Sequence, residues 1–242
     1  MNILVVNDDG IDSPGIMLLA KTLMKHGNVF VVAPFTEQSG IGHGITLHNP
    51  MKLRKRDDFY PGITAWSLDG KPADCIKFAL YALELEIDLV VSGINNGPNL
   101  GTDIIYSGTI AGASEGVICE IPSIAVSADF GGLDIARREL ADVLDTVFDK
   151  DILDEDIVIN INFPQKHFEN SKGIRVTEQG LRPFLHEYVM EGDKYWARGT
   201  WDNIENDEDT DVYAYENGYI SITPIQIDRT NYDYLSKLKA KF

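Results

Sequence analysis

The stretch ILVVNDDGIDSPG, from Ile3 to Gly15, joins an apolar run to a polar turn and then to a helix start. The apolar run is rich in β-branched residues, so residues 2–7 are predicted to form a buried strand. Ser13 and Pro14 are typical of an N-cap and a first helical turn, and apolar residues follow at the helical positions 16, 19, 20, 23 and 24. A buried strand that leads straight into a helix is the first unit of an α/β fold.

The same alternation continues along the first two thirds of the chain. Further buried strands are predicted at 28–34, 87–93, 121–128 and 156–164, and helices are predicted to begin at 69–72 and to cover 107–119 and 133–148. Continuous apolar strands separated by helices indicate a parallel sheet that is covered on both faces. With right-handed crossovers, the predicted fold class is α/β: a Rossmann-like, doubly wound, mostly parallel sheet with an antiparallel C-terminal extension.

Two regions depart from this alternation. Residues 45–68 are predicted to form short strands in an excursion from the sheet, and residues 174–223 are predicted to form long antiparallel strands rich in Tyr and Trp. The acidic run ENDEDTD, residues 205–211, is predicted to be a solvated loop. Because the chain has no repeat and no Pro/Ser linker, we expect a single domain over 1–242, with a Rossmann-like core at 1–165 and a projecting, dimer-forming region at 166–242.

The composition narrows the class of protein. The 242 residues include 38 acidic and 21 basic side chains, a formal net charge of −17. That balance disfavours nucleic-acid partners, which require a basic face, and it means that a phosphate substrate needs a local source of positive charge. Cys75 and Cys119 form no metal or disulfide motif. With no leader pattern and no apolar run of roughly 20 residues, we expect a cytoplasmic protein without a membrane partner.

Polar side chains follow three of the predicted strands. Asp8 and Asp9 follow the first strand, Ser39 lies in the loop after the second, and Asn95 follows the third. Ligands of parallel sheets bind where the strands end, and two adjacent carboxylates repel each other unless a cation compensates. Asp-Asp-Gly alone could be a simple turn or an N-cap. The combination with the two other loops instead predicts a hard divalent cation held by Asp8, Asp9, Ser39 and Asn95.

A glycine-rich helix start offers the positive source. Ser107, Gly108 and Thr109 are predicted to begin a helix, where free N–H groups favour an anion. The sequence matches neither the Walker loop nor GxGxxG, so no nucleoside triphosphate or dinucleotide is required. Gly112 and Gly116 continue the spacing and predict a flat helix face packed against the sheet. His43 is open to three interpretations: an acid–base group, a phosphate contact or a loop residue without a role.

Several blocks in the same order resemble the stationary-phase survival protein E family of metal-dependent 5′/3′-nucleotidases. These blocks are NDDGIDSPGI, VVAPFTEQSG, GKPADC, DLVVSGINNGPNLGTDIIYSGTIAGASEG and PSIAVS. NINFP and TDVYAYENGYISITPIQIDRT extend the likeness almost to residue 242. Lys71 departs from the family, which more often has Thr before PADC. This lysine could add charge near the site or simply start the helix.

The resemblance implies a set of functional residues and partners. One divalent cation per subunit, Mg²⁺ or Mn²⁺, is implied at the four ligands named above. Asn96 and the turn of Ser107, Gly108 and Thr109 fall where the family contacts phosphate. The family likeness also implies a homodimer, or a tetramer, that exchanges C-terminal elements. The alternation of apolar and polar residues over 174–200 independently predicts a dimer stabilised by that segment.

The resulting hypothesis is a nucleotidase that hydrolyses nucleoside 5′- and 3′-monophosphates, with Asp8 and Asp9 as catalytic residues. Asp9 could serve as a ligand, as a base toward the attacking water, or as both. A phosphatase for polyphosphate or another small phosphoester is the alternative enzyme, and a non-catalytic nucleotide-binding protein is the alternative class. We expect Gly108→Val to lower kcat/KM more than Thr109→Val, with metal affinity nearly unchanged in both variants.

Overall fold

The computed structural model describes residues 1–202 and 204–242. The strands are β1 (Asn2–Val6), β2 (Asn28–Pro34), β3 (Leu53–Lys55), β4 (Thr64–Leu68), β5 (Leu89–Asn96), β6 (Ser123–Ala128), β7 (Ile157–Asn162), β8 (Ile174–Val176), β9 (Phe184–Glu191), β10 (Lys194–Trp201) and β11 (Ile220–Gln226). The helices are α1 (Pro14–Leu23), α2 (Pro72–Tyr81), α3 (Gly108–Ile118), α4 (Leu133–Asp149), α5 (Asp211–Glu216) and α6 (Tyr232–Lys239), and a 3-10 helix covers Gly101–Tyr106.

The main sheet has nine strands in the order β3-β4-β2-β1-β5-β6-β7-β11-β8. The six strands from β4 to β7 are parallel, whereas β3 is antiparallel to β4 and β11 is antiparallel to β7. The chain winds outward from β1 to β4 and then returns to place β5 on the other side of β1. The winding direction therefore reverses between β1 and β5, and the prediction of a Rossmann-like, mostly parallel sheet is confirmed.

The central strand β1 shows how the two faces of the sheet are covered. Ile3 and Val5 pack in the cluster formed with α1 and α4, while Leu4 and Val6 pack against α2. All four side chains are fully buried, as expected for a strand with helices on both sides. The glycine face of α3 lies close to the sheet, because a Cβ at Gly116 would stand 2.3 Å from Ser123 Oγ. The predicted flat helix face is thus confirmed.

The first predicted excursion, residues 45–68, was wrong in part. β4 is parallel to β2 and extends the main sheet, and only β3 is an antiparallel edge strand. β4 buries Ala65 on one face of the sheet and Leu68 on the other. It therefore contributes to the core, which a short run with a half-polar pattern did not indicate.

The second departure, residues 174–223, also differs from the prediction. β9 and β10 form an antiparallel hairpin, but β8 is parallel to β11 and α5 interrupts the strands. Asp211, at the end of the predicted solvated acidic run, is fully buried and accepts N–H groups from Gly101 and Gly180 at 3.0 and 2.9 Å. Two such bonds offset the cost of burying the carboxylate. Asn203 lies outside the described residues.

Across the described part of the chain, no helix combines the length and the apolarity that crossing a bilayer would require.

Candidate active site

A cleft of about 220 Å³ opens where β1 and β5 end, at the point of winding reversal. Its lining comes from five separate segments of the chain. The lining residues are Asp8, Ser39, Gly40, Asn95, Asn96, Gly97, Pro98, Asn99, Asp103, Tyr106, Ser107, Phe130 and Trp201. Of the predicted site residues, this cleft brings together Asp8, Ser39, Asn95, Asn96 and Ser107. The remaining three, Asp9, Gly108 and Thr109, directly follow Asp8 and Ser107 in the sequence.

The turn after β1 is held by Asn7, which is fully buried. The Asn7 amide donates to the Gly10 carbonyl at 2.9 Å and to Ser13 Oγ at 2.8 Å. Ser13 in turn accepts the Ile16 N–H as the N-cap of α1. One side chain therefore ties the Asp-Asp-Gly turn to the helix that follows, which fixes the direction of both carboxylates.

Asp8 lies at the base of the cleft and is almost fully buried. Its Oδ1 accepts a short hydrogen bond from the Thr109 hydroxyl. Burial raises the pKa of Asp8 to about 6, the adjacent charge of Asp9 adds to that rise, and the Thr109 hydrogen bond opposes it. The ionised form is thus costly in the protein alone.

Asp9 bridges the two strands that flank the cleft. Its Oδ2 accepts the backbone N–H of Asn96, at the end of β5, at 2.9 Å. Burial raises the pKa of Asp9, and the nearby Glu37 charge raises it further. Among the ion pairs formed by the described residues, none joins Asp8 or Asp9 to Lys, Arg or His.

The two adjacent asparagines use opposite ends of their amides within the protein. Asn95 Nδ2 donates to the Gly97 carbonyl at 2.6 Å, which leaves its oxygen for ligation. Asn96 Oδ1 accepts the Gly131 N–H at 2.8 Å, which leaves its amide nitrogen as a donor. Ser39 donates its hydroxyl proton to Glu37 Oε1 at 2.6 Å and keeps oxygen lone pairs for a cation. These contacts leave an oxygen acceptor on Asn95 and on Ser39 and an amide donor on Asn96.

The start of α3 packs against Asp8. Ser107 is the N-cap, and its hydroxyl accepts the Ile110 N–H at 3.0 Å. A Cβ at Gly108 would lie 2.8 Å from both Cβ and Oδ2 of Asp8, so only glycine fits there without a shift. The Thr109 hydroxyl donates its proton to Asp8, whereas the Ser107 hydroxyl only accepts, so the Ser107 O–H and the first-turn N–H of Gly108 are the donors that remain for an anion.

A buried asparagine network supports the loop after β5 and was missed by the sequence interpretation. The Asn99 backbone N–H donates to Asn162 Oδ1 at 2.8 Å, and its carbonyl accepts the Asn160 and Asn162 amides at 3.0 and 3.1 Å. The Asn99 side chain donates to Ser127 Oγ at 2.8 Å. The sequence did contain an indication of this network, because Asn160 and Asn162 lie two residues apart inside the otherwise apolar strand β7.

An aromatic pair at the cleft was also missed. The ring centroids of Phe130 and Trp201 are 6.1 Å apart and the rings are tilted by 37°. Trp201 Nε1 and Arg182 Nη1 each lie 3.1 Å from Asp103 Oδ2. These residues come from distant parts of the chain, and no local pattern joins them to the predicted ligands.

His43 and Lys71 lie outside the cleft lining. His43 Nε2 is 2.8 Å from Glu115 Oε2, and His43 lines a separate cavity of about 440 Å³ beside the 3-10 helix. Lys71 is the N-cap of α2, where its backbone N–H donates to Asp74, and its Nζ donates to the Ile45 carbonyl at 2.7 Å. The interpretation of Lys71 as a helix start fits these contacts.

The family described as survival protein SurE matches residues 3–185. The chain belongs to this family. Among SurE relatives, a protein named 5′-nucleotidase SurE from Alkaliphilus metalliredigens is 42% identical over 248 residues, covering 99% of this chain and 98% of the relative. One of the same name from Aquifex aeolicus is 44% identical over 247 residues, covering 98% and 96%.

The crystal structure of the SurE protein from Aquifex aeolicus is similar to this chain, with a TM-score of 0.83, 40% identity and 99% coverage of both chains. At this identity the structural likeness extends beyond the parallel core. The whole SurE-type architecture, with its C-terminal strands, is therefore present here.

The donor set of this SurE-family cleft fits a hard divalent cation. In residues 1–202 and 204–242, no group of three or more His, Cys, Asp and Glu side chains is arranged to hold an ion. The candidate set instead has two carboxylates with a hydroxyl and an amide oxygen, which suits Mg²⁺ or Mn²⁺ better than Zn²⁺. Two neighbouring carboxylates with raised pKa values and no basic partner among the described residues are a site that a cation would stabilise.

Proposed function

We propose that this protein is a metal-dependent nucleotidase that releases phosphate from nucleoside 5′- and 3′-monophosphates. The observation that carries the proposal is the adjacent pair of buried Asp8 and half-buried Asp9, without a basic partner among the described residues, at a cleft that also contains Ser39 and Asn95. The names of the SurE relatives, 5′-nucleotidases, support the same reaction.

In this proposal Asp8, Asp9, Ser39 and Asn95 hold one Mg²⁺ or Mn²⁺ per subunit. When bound, the cation polarises the phosphoryl group and activates the attacking water. Thr109 keeps Asp8 in place through its hydroxyl, and the Asn96 N–H keeps Asp9 in place. Each ligand is thus pre-oriented by a neighbour, which reduces the reorganisation needed during the reaction.

Phosphate recognition falls to short-range donors. The proposed donors to the phosphoryl oxygens are the Asn96 amide nitrogen, the Ser107 hydroxyl and the Gly108 N–H at the start of α3. All three are neutral, so they act only at contact distance, in a protein whose net charge of −17 repels a dianion at longer range. Donors aimed at developing negative charge stabilise the transition state more than the ground state.

The test is a panel of 5′- and 3′-nucleotides, polyphosphate and small phosphoesters, each assayed for phosphate release with Mg²⁺, Mn²⁺, Co²⁺ or EDTA. We expect release from nucleotides that EDTA abolishes and that Asp9→Asn removes. Asp12→Asn, a change in the same loop at an exposed carboxylate paired with Arg56, is the matched control and should remain active. Preference for polyphosphate would favour the alternative phosphatase, and tight nucleotide binding without release would favour the non-catalytic class.

We also propose a cytoplasmic homodimer. The support is an exposed apolar surface on the β9–β10 hairpin, formed by Tyr188, Met190 and Tyr195 on one face. Monomeric soluble proteins rarely leave such contiguous patches uncovered. The acidic composition favours a small-molecule substrate over a nucleic acid.

A further inference from the structure

We propose that Phe130 and Trp201 form a stacking platform for the base of the nucleotide, an inference that rests on the proposed nucleotidase function. Both rings line the cleft that contains Asp8 and Asn95. They are 48% and 40% exposed, respectively. Large aromatic rings left open beside a polar catalytic cleft offer a surface for a planar ligand.

The position of the rings agrees with the length of a nucleotide. The cleft of about 220 Å³ is smaller than pockets that enclose drug-sized ligands, which run from roughly 300 to 1,000 Å³. With the phosphate at Asp8 and Gly108, the sugar fills the remaining depth and the base extends to the rim. Phe130 and Trp201 are the exposed rings that the lining offers beyond the ligand-bearing loops, apart from Tyr106.

Trp201 is held in a fixed orientation although it is exposed. Its indole N–H donates to Asp103 at 3.1 Å, and the Arg182 guanidinium lies 4.3 Å from its ring centroid. The Phe184 ring meets it edge-on at 5.5 Å and 78°. A ring whose freedom is already lost in the free protein costs little entropy when a base stacks on it.

Phe130 is fixed by its backbone. Its N–H donates to the Asp129 side chain at 2.8 Å, and its carbonyl accepts the Lys166 ammonium at 2.7 Å. The ring lies over Gly97, where a Cβ would stand 2.6 Å from Phe130 Cε1. The next residue, Gly131, donates to Asn96, so the same loop contacts both the proposed phosphate donor and the proposed base platform.

Stacking explains how a base can be bound without hydrogen bonds that recognise one particular base. Every base has a π face, so an aromatic platform accepts all of them and contributes through area and polarisability. Phe130 and Trp201 pack against each other, with centroids 6.1 Å apart and a tilt of 37°, so a base would stack on their exposed surface rather than between them, and such a surface sets no limit on the size of the base. We therefore expect purine and pyrimidine nucleotides to be accepted, with the larger purines favoured.

The test compares AMP with ribose 5-phosphate, which has the same phosphoester but no base. For Trp201→Ala we expect kcat/KM for AMP to fall roughly 5- to 100-fold, mainly through KM, because base–aromatic stacking is worth about 1–3 kcal/mol. Activity on ribose 5-phosphate should be unchanged. Trp201→Phe, which loses the indole N–H but keeps a ring, should retain most AMP activity, and Phe130→Ala should lower kcat/KM for AMP as Trp201→Ala does.

Trp196→Ala is the matched control. Trp196 is an exposed tryptophan of the same strand, five residues away and therefore on the opposite face of the hairpin. We expect it to leave both substrates unaffected. Equal losses for AMP and ribose 5-phosphate in Trp201→Ala, or no loss for AMP, would overturn the platform.

Calorimetry with adenosine separates this inference from the proposed activity. Wild-type protein should bind adenosine more tightly than ribose, and Trp201→Ala should lose that difference. If AMP is not hydrolysed but adenosine binding still depends on Trp201, the base platform stands and the nucleotidase proposal falls. If AMP is hydrolysed and adenosine binds equally well to wild-type and Trp201→Ala proteins, the platform falls alone.

Discussion

Asp8 is surrounded by groups that fix its carboxylate before any ligand arrives. The Thr109 hydroxyl donates to one oxygen, and the Cα of Gly108 lies so close that a Cβ would meet the other oxygen at 2.8 Å. These contacts revise the expectation that changes at 108 and 109 leave metal affinity nearly unchanged. Gly108 and Thr109 both lie against Asp8, a proposed metal ligand, so a substitution at either position should alter cation binding.

The Thr109 contact gives a residue-scale prediction. Thr109→Val removes the donor to Asp8 while keeping the shape of the side chain, and it should weaken Mn²⁺ binding roughly 10- to 100-fold, since hydrogen bonds to charged groups contribute about 1.5–3 kcal/mol. Thr109→Ser retains the hydroxyl and should bind Mn²⁺ nearly as well as the wild type. Calorimetric titration of both variants makes the comparison, and equal affinities would show that the hydroxyl does not position Asp8.

The raised pKa of Asp8 leads to a second prediction, for protein in EDTA. Because the pKa rises from 3.8 to about 6, ionised Asp8 destabilises the metal-free fold. That penalty is absent below the ordinary pKa of 3.8, grows as the pH rises from 3.8 to about 6, and stays constant above that. Asp8→Asn should therefore raise stability near pH 7.5, by no more than about 3 kcal/mol, and leave it unchanged near pH 4.

The measurement is thermal unfolding in EDTA at both pH values, repeated near neutral pH with excess Mn²⁺. Added Mn²⁺ should stabilise the wild type and not Asp8→Asn. Asp12→Asn, in the same turn but largely exposed, should show neither effect. A gain in stability at low pH as large as that near neutrality would contradict the electrostatic explanation.

At the scale of elements, the site depends on how the loop after β5 is anchored. Its Asn99 backbone is bonded to two side chains of β7, so a strand two positions away in the sheet holds the loop that contains Asn95 and Asn96. The asparagines at 160 and 162 are fully buried. A buried polar network of this kind constrains the loop to one arrangement.

The third prediction concerns this network. Asn162→Ala leaves the Asn99 N–H buried without its acceptor and should cost about 1–3 kcal/mol of stability and weaken Mn²⁺ binding. Ser221→Ala is the matched control, because Ser221 is the β11 partner of Asn162 and its buried hydroxyl has no partner among the described atoms. It should be neutral or stabilising. Denaturant unfolding compares them, and equal losses would point to general packing instead.

Local pattern predicted most of the parallel core and the ligand-bearing loops. Strand and helix periodicity depends on neighbouring residues, so most of the alternation from β1 to β7 could be predicted from the sequence. The edge of the sheet where Asp8, Ser39 and Asn95 meet could be predicted for the same reason. The misses depend on contacts between distant residues. Asp211 is buried because it accepts N–H groups from a loop 110 residues earlier, and Trp201 reaches the cleft through a hairpin whose packing no short window contains.

At the scale of the whole molecule, the outstanding feature is a projecting hairpin with apolar side chains on its surface. Within the described residues, β9 and β10 pair only with each other and form a separate two-stranded sheet. Isolated hairpins are marginal in water. We therefore expect the hairpin surface formed by Tyr188, Met190 and Tyr195 to be buried, and we propose that it packs against a second copy of the chain.

The fourth prediction follows from that surface. Light scattering at micromolar concentration should give at least twice the chain mass of 26.9 kDa, and Tyr188→Glu should shift the protein toward monomer. Tyr81→Glu, at a similarly exposed tyrosine on α2, should not change the mass. An active monomer of the wild-type chain would contradict the proposed assembly.

The Asn96–Gly97 pair also bears on how the protein ages. Asparagine followed by glycine is the dipeptide most open to deamidation: the glycine nitrogen attacks the preceding side-chain carbonyl and expels ammonia, and water then opens the resulting imide ring to aspartate or isoaspartate. Here the Gly97 N–H donates to the Ala128 carbonyl at 2.9 Å, and the side-chain oxygen Oδ1 of Asn96 accepts the Gly131 N–H. The contacts that shape the cleft should therefore also slow the deamidation of Asn96. If these contacts were lost, deamidation would place an extra negative charge at the point where phosphate is expected to bind.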